Sequence, residues 1–170
     1  DLAPGTYTIT VDGSSDTTGR YAFRLLDVAG ATTIMPDVAV SNTLAAGTET
    51  HLYRFHVEAG QKFYFDGFSA TDGDVSWRLI DPFGRAVFTT NVTNDQDVRT
   101  LDYTGDYLIA VEGRFYKTAS NSYSFRVVGV QDTTVPLVFG ESQGFVPRQV
   151  DGVNGGAIQF GGLGYVDVGH

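Results

Sequence analysis

Acidic side chains cluster in the turns that this sequence predicts, and carboxylates are the groups here best suited to hold a metal ion. Asp66, Asp72 and Asp74 lie around one predicted strand. Calcium takes about six to eight hard oxygen ligands, which carboxylates and turn carbonyls can supply. Asp also favours turns for local reasons, because its side chain bonds to nearby backbone. We expect no required cofactor, and we name Asp66, Asp72 and Asp74 as the candidate calcium ligands.

The histidines do not form a metal-binding or catalytic set. His51 and His56 lie an odd number of positions apart on one predicted strand, so their side chains point to opposite faces. That geometry excludes a chelating pair. The plausible general bases sit in predicted loops with no nucleophile beside them. We therefore expect that the protein is not an enzyme.

A second candidate site is a loop between two predicted strands, with the sequence Gly113-Arg114-Phe115-Tyr116-Lys117. Exposed aromatic rings beside basic side chains could hold a glycan or a matrix protein. The alternative is that one of the two rings caps the end of the fold, and we favour that arrangement. Arg114, Phe115 and Tyr116 are the candidate ligand-binding residues.

Composition indicates the fold class and excludes several partners. Apolar residues make up 42% of the chain and aromatic residues 13%, with 21 glycines and no cysteine. Branched and aromatic residues together with many glycines favour short strands joined by tight turns. The 20 acidic residues against 11 basic ones give a net charge of −9, which disfavours nucleic acid as a partner. No apolar run reaches the roughly 20 residues that span a bilayer, so we expect no membrane insertion.

Alternating apolar residues predict eight strands in one complete unit. The strands are expected at 38–44, 50–57, 61–68, 75–81, 85–90, 97–102, 106–112 and 122–130. Their spacing of about 8 to 12 residues is typical of an antiparallel sandwich, so the predicted fold is all-β. The residues expected to face inward are Tyr53, Phe55, Val57, Phe63, Phe65, Val75, Trp77, Leu79, Tyr107, Ile109, Val111, Tyr123, Phe125 and Val127.

One short pattern occurs twice. Residues 5–13, Gly-Thr-Tyr-Thr-Ile-Thr-Val-Asp-Gly, return at 105–113 as Gly-Asp-Tyr-Leu-Ile-Ala-Val-Glu-Gly. Tyr-Ala-Phe-Arg at 21–24 returns as Tyr-Ser-Phe-Arg at 123–126. Self-similarity at a fixed period marks a tandem array of folding units. The first copy predicts an extra N-terminal hairpin with strands at 6–12 and 20–26.

Three motifs, taken in order, resemble one bacterial domain family. They are Ala-Gly-Gln-Lys-Phe-Tyr-Phe-Asp at 59–66, Gly-Asp-Val-Ser-Trp-Arg-Leu-Ile-Asp-Pro-Phe-Gly at 73–84 and Thr-Gly-Asp-Tyr-Leu-Ile-Ala-Val-Glu-Gly at 104–113. Together they resemble the bacterial pre-peptidase C-terminal domain. The resemblance implies a jelly-roll-like β-sandwich, found beside secreted peptidases and in giant cell-surface proteins, and hence a secreted or cell-surface location. Some similar domains, notably in bacterial collagenases, bind calcium.

The glycine-rich residues 153–169 look like the opening strands of a laminin-G-like or concanavalin-like jelly roll, with strands at 157–160 and 164–168. With this second resemblance, three parts are expected. Residues 1–35 would be the last two strands of a preceding repeat, and residues 36–132 a complete sandwich. Residues 133–170 would be a linker and a short β extension that starts a laminin-G-like domain.

These expectations favour a non-catalytic function. The leading prediction is a structural or adhesive module of a giant extracellular bacterial protein, whose partners are other copies or domains of that protein. The two ends of the chain would either fold back on the central sandwich or complete a neighbouring copy, giving an end-to-end filament by strand complementation. The alternative is a carbohydrate- or matrix-binding module, assisted by calcium and accessory to a secreted enzyme.

Overall fold

The computed structural model describes residues 5–13, 19–21, 23 and 25–132. Apart from Asp132, these residues belong to the first of two units, Asp1–Gln131. The linker and the strands predicted within 133–170 lie outside the described residues. Among the residues that are described, no helix is long and apolar enough to cross a membrane.

The described part of the chain forms nine strands and one short turn of 3₁₀ helix, Val28–Gly30. The strands are β1 (Thr32–Thr33), β2 (Ala39–Leu44), β3 (Thr50–Val57), β4 (Lys62–Ala70), β5 (Ser76–Ile80), β6 (Ala86–Asn91), β7 (Gln96–Thr100), β8 (Gly105–Glu112) and β9 (Asn121–Val130). All eight predicted strands are present within about two residues of their expected ends. The ninth, β1, is only two residues long and was not predicted.

Two sheets build an antiparallel, jelly-roll-like β-sandwich, as predicted. The five-stranded sheet has the order β1-β3-β8-β5-β6, and the four-stranded sheet has the order β2-β9-β4-β7. Most connections cross from one sheet to the other, whereas β5 and β6 form a hairpin within one sheet. The short β1 pairs with β3 in parallel. The central strand β8 pairs with β3 on one side and with β5 on the other.

The core lies between the sheets, and half of its buried residues are aromatic. Every residue that alternation predicted to face inward belongs to this core, and Trp77 is fully buried. Trp77 packs edge-on against Phe65 and Phe88, with ring centroids 6.3 and 5.5 Å apart. Edge-to-face packing of this kind adds to the gain from burying apolar area.

The N-terminal hairpin predicted at 6–12 and 20–26 is not formed in the described residues. Residues 5–13 have no regular secondary structure, and Tyr7, Ile9 and Val11 are exposed. A two-stranded hairpin is marginal by itself in water, which explains why the alternating pattern alone does not fold this segment. The assignment of residues 1–35 to a preceding repeat stays a prediction.

Strand register places four connections at one end of the sandwich, which we call the loop end. Glu112 of β8 lies opposite Thr50 and Ser76, the first residues of β3 and β5. Asn121 of β9 lies opposite Leu44, the last residue of β2. Asn91, the last residue of β6, also lies opposite Ser76. The loops 45–49, 71–75, 92–95 and 113–120 therefore meet at the loop end. The β5–β6 turn lies at the opposite end, where a Cβ on Gly105 would contact Pro82.

We expect Phe125→Ala to destabilise the protein by about 3–5 kcal/mol, because Phe125 is buried among Tyr53, Trp77 and Tyr123 and its removal leaves a cavity. Urea unfolding followed by circular dichroism measures this loss. Phe115→Ala is the matched control, since Phe115 is exposed and its loss should leave the unfolding midpoint unchanged. Equal effects of the two substitutions would contradict the assigned core.

Candidate functional site

The connection between β8 and β9 contains a tight turn, residues 113–117, which we call the aromatic loop. Its turn is closed by a hydrogen bond from the Lys117 N–H to the Arg114 carbonyl, 3.0 Å. At its start the Gly113 N–H donates to the Glu49 carbonyl, 3.0 Å. A Cβ on Gly113 would overlap the carbonyl oxygen of Gly47, so only glycine fits this close approach. The aromatic loop is thus anchored to the β2–β3 connection.

The connection between β4 and β5 forms the acidic loop, residues 71–75, beside the aromatic loop. Asp72 Oδ1 accepts a hydrogen bond from the Asp74 N–H, 3.0 Å, and another from Asn121 Nδ2. Gly73 between them has φ +67°, a left-handed conformation that glycine adopts without strain. This turn directs the Asp72 and Asp74 carboxylates towards the aromatic loop.

Three side chains of the aromatic loop bind the two carboxylates. Arg114 Nε donates to Asp74 Oδ1 at 2.9 Å, and the Tyr116 hydroxyl donates to Asp74 Oδ2 at 2.6 Å. Lys117 Nζ lies 3.1 Å from Asp72 Oδ2. The sequence predicted two separate sites, a calcium set with Asp72 and Asp74 and a ligand site at Arg114, Phe115 and Tyr116. The structure joins them in one site formed by residues 71–75 and 113–117, which we call the loop cluster.

Both rings of the aromatic loop are exposed. Phe115 is 90% exposed and Tyr116 is 58% exposed, and their rings meet edge to face with centroids 5.1 Å apart. The expectation that one ring caps the end of the sandwich is therefore wrong. Its physical reason is that the Asp74 contacts hold the turn away from the core, which Leu44 and Val75 already close at this end.

Hydrogen bonding within the loop cluster shifts the acidity of its members. The Tyr116 hydroxyl, and then Arg114, lower the pKa of Asp74. The Asp74 backbone N–H, and then Lys117, lower the pKa of Asp72. The same contacts raise the pKa of Tyr116 and the pKa of Lys117. At neutral pH Asp72 and Asp74 are therefore ionised, Lys117 is charged and the Tyr116 hydroxyl keeps its proton, as these contacts require.

The folded protein should lose stability on acidification below about pH 4, the ordinary pKa range of Asp. Because the folded state lowers the pKa of Asp72 and Asp74, it binds their protons more weakly than the unfolded chain does. Their contribution is present above about pH 4 and is lost as pH falls through the folded pKa values. Urea midpoints measured from pH 3 to pH 7 test this.

The control for this titration is the double variant Asp72→Asn, Asp74→Asn, whose decline on acidification should be shallower. It keeps Asp81, where burial raises the pKa but hydrogen bonds from Arg85 outweigh burial and lower it. A midpoint that rises on acidification, or the same slope in the variant, would contradict the assigned contacts.

Asp66, the third predicted calcium ligand, lies elsewhere. It is buried on β4, and its Oδ2 accepts a hydrogen bond from Arg126 Nη2 of β9 at 2.7 Å. The predicted set of Asp66, Asp72 and Asp74 is therefore not assembled, because strand pairing directs Asp66 to Arg126 on the four-stranded sheet. Among the described residues, no group of three or more His, Cys, Asp or Glu side chains could hold a metal ion.

Calcium is expected to leave the melting temperature unchanged relative to excess chelator, because cationic or amide groups already occupy the carboxylates of the candidate ligands. If calcium raises the melting temperature by several degrees and the Asp72→Asn, Asp74→Asn variant loses this rise, the loop cluster binds calcium and the expectation is contradicted. A rise that the variant retains would place the ion elsewhere in the chain.

The two strand histidines point to opposite faces, as alternation predicted. His51 Nδ1 lies 2.7 Å from the Tyr123 hydroxyl, on the core side of β3. His56 Nδ1 lies 2.9 Å from Asp106 Oδ1, and this contact is the main cause of its raised pKa. Neither histidine contacts a serine or threonine hydroxyl that could act as a nucleophile in the described contacts.

One pentapeptide has the spacing of a nucleophile elbow, Gly140-Glu141-Ser142-Gln143-Gly144. Such an elbow needs a strand before the serine and a helix after it. The pentapeptide lies outside the described residues, and it has no assigned role.

No model of a known protein family matches the sequence, and no curated protein matches it. Solved structures that match this chain include periplasmic inhibitors of g-type lysozyme. The PliG protein of Aeromonas hydrophila is 13% identical, with a TM-score of 0.47 over 57% of this chain and 95% of its own. The PliG protein of Salmonella Typhimurium is 18% identical, with a TM-score of 0.45 over 59% of this chain and 98% of its own. At these values the similarity assigns no residue role here.

Proposed function

We propose that the chain is a non-catalytic adhesive β-sandwich module of a secreted or cell-surface bacterial protein, and that the aromatic loop is its contact surface. One observation carries this proposal. Phe115 is 90% exposed, while its neighbours Arg114 and Tyr116 are both bonded to Asp74. A large apolar ring held in solvent by anchored neighbours adds little to folding, and it is available to a partner.

Contacts within the loop cluster pre-organise this surface in the unbound protein. Tyr116 is held by its hydroxyl on Asp74, and its ring supports Phe115 edge to face. Rigid aromatic side chains lose little conformational entropy on binding, which is why a few of them dominate many interfaces. The pair can stack on the apolar face of a sugar ring or on an apolar side chain of a protein.

Local charge favours a neutral partner. Two cations of the aromatic loop, Arg114 and Lys117, face two carboxylates of the acidic loop, Asp72 and Asp74. The loop cluster is therefore nearly neutral within a chain of net charge −9. Polyanions such as nucleic acid gain nothing here, so a neutral polysaccharide or a matrix protein is the proposed partner class.

Binding of the full chain to immobilised neutral polysaccharides and matrix proteins tests the proposal. We expect the double variant Phe115→Ala, Tyr116→Ala to lose about 10- to 100-fold in affinity, since exposed aromatic anchors carry most of the energy of such contacts. Polysaccharide and protein arms of the panel distinguish the two partner classes.

Phe83→Ala is the matched control, because Phe83 is another exposed aromatic residue and lies in the β5–β6 turn at the opposite end. Its guanidinium neighbour Arg85 lies 5.3 Å from the Phe83 ring centroid, so it too sits beside a cation. Equal loss in Phe83→Ala, or no binding by the unaltered chain to any member of the panel, would overturn the proposal.

A second candidate function is a structural spacer in a tandem array, and the internal repeat favours it. Tyr107, Ile109 and Val111 of β8 are 1%, 0% and 0% exposed. Their counterparts in the first copy, Tyr7, Ile9 and Val11, are 53%, 56% and 49% exposed. The side chain types that form a core in one copy are thus exposed in the other. This difference is expected in a tandem array, where the first copy would belong to a further unit.

A further inference from the structure

The segment 5–13, which we call the donor segment, carries the three inward side chains of β8 at identical spacing. Tyr, Ile and Val occupy positions 7, 9 and 11 in the donor segment and positions 107, 109 and 111 in β8. In β8 these side chains are fully buried, whereas in the donor segment about half of each is exposed. The exposed apolar side chains of Ile9 and Val11 would gain from burial between two sheets, as their counterparts in β8 do.

The surroundings of β8 define what that partner must look like. On one side, β3 places Phe55, Tyr53 and His51 opposite Tyr107, Ile109 and Val111. On the other side, β5 places Leu79 and Trp77 opposite Ile109 and Val111. A strand of the β8 type therefore needs two antiparallel neighbours, one of the β3 type and one of the β5 type.

The second half of the repeat corresponds to a strand of the four-stranded sheet, so the partner must accept a strand there too. Tyr21 and Phe23 match Tyr123 and Phe125 of β9, and both are exposed. In the sandwich, β9 lies between β2 and β4. The N-terminal residues thus offer one strand to each sheet of a sandwich.

The chain's own sandwich cannot accept this donor. One edge of β8 is paired along its whole length with β3, and the other edge is paired with β5 over residues 108–112. Both edges of β9 are paired with β2 and β4. A second copy of the chain cannot accept the donor segment either, because the β8 and β9 positions of its sandwich are also filled. This argues against the end-to-end filament in which one copy completes the next.

We propose that the donor segment and residues 19–27 bind to a sandwich repeat of the same type that lacks its own last two strands. The donor segment inserts between the β3-type and β5-type strands with Ile9 in the place of Ile109. This inference rests on the tandem-array role proposed above, and it specifies the strand register between the donor segment and the neighbouring repeat. Complementation by backbone ladders with alternating side chains in pockets is a known mode of strand addition.

The test compares the full chain with two fusions. In the donor fusion, residues 1–4 are replaced by a second copy of residues 31–104, which carries β1 to β7 and runs directly into Gly5. In the control fusion, residues 1–4 are replaced by a second copy of residues 31–130, a complete sandwich. The control shows that the added copy folds in this position and that a filled sandwich excludes the donor segment.

Backbone amides of Ile9 and Val11 should exchange hydrogen at least about 100-fold more slowly in the donor fusion than in the full chain or the control fusion. Ile9→Asp should remove this protection, whereas Thr8→Asp, on the opposite face of the donor segment, should keep it. In the full chain neither substitution should change the melting temperature.

Unprotected amides in the donor fusion, or a donor fusion that fails to fold while the control fusion folds, would overturn the inference. So would protection already present in the full chain, which would show that the segment packs within its own molecule. Binding through Phe115 and Tyr116 is measured on the same proteins. Intact binding without protection overturns the complementation alone and leaves the adhesive function standing.

Discussion

Burial of one alternating apolar face between two sheets is the constraint on which the rest of this structure depends. Phe65, Trp77 and Phe125 come from both sheets and pack ring to ring, so their strands can take only one register. A shift of one residue would turn every such side chain into solvent. Once register is set, the strand ends are set, and the loops that leave them must meet at defined places.

The loop cluster is one result of this constraint. The acidic loop follows β4 and the aromatic loop follows β8, and they are about 40 residues apart in sequence. They meet because both strands end at the same end of the sandwich. Exposed ion pairs such as Arg114 with Asp74 add little to stability. Their effect is geometric, since two donors on one carboxylate fix the position of the turn that presents Phe115.

Sequence reasoning found the strands because alternation is a local signal with a period of two, and the aromatic and branched residues of β3, β8 and β9 follow it closely. It missed β1, because two threonines pair with β3 only through the tertiary fold. It expected a hairpin with strands at 6–12 and 20–26, because the alternation of the first strand is as clear as that of β8 and a pattern does not show whether a partner sheet is present.

The candidate site was predicted in pieces. Arg114, Phe115 and Tyr116 were recognisable as a loop by their position between two strands, and Asp72 and Asp74 by their turn chemistry. No sequence signal joins these two loops, and none separates Asp66 from the other two carboxylates, since both facts depend on strand order. The role of Asn121 as a donor to Asp72 has no sequence signature at all.

Mapping of binding by amide chemical shifts on the full chain shows directly whether partners bind the sandwich at the loop end. Titration uses the polysaccharide or matrix protein from the binding panel that binds tightest. We predict that shifts concentrate in residues 71–75 and 113–117 and that amides of the β5–β6 turn around Phe83 do not shift. Shifts centred on Phe83, or on the faces of the sheets, with the aromatic loop unmoved, would contradict it.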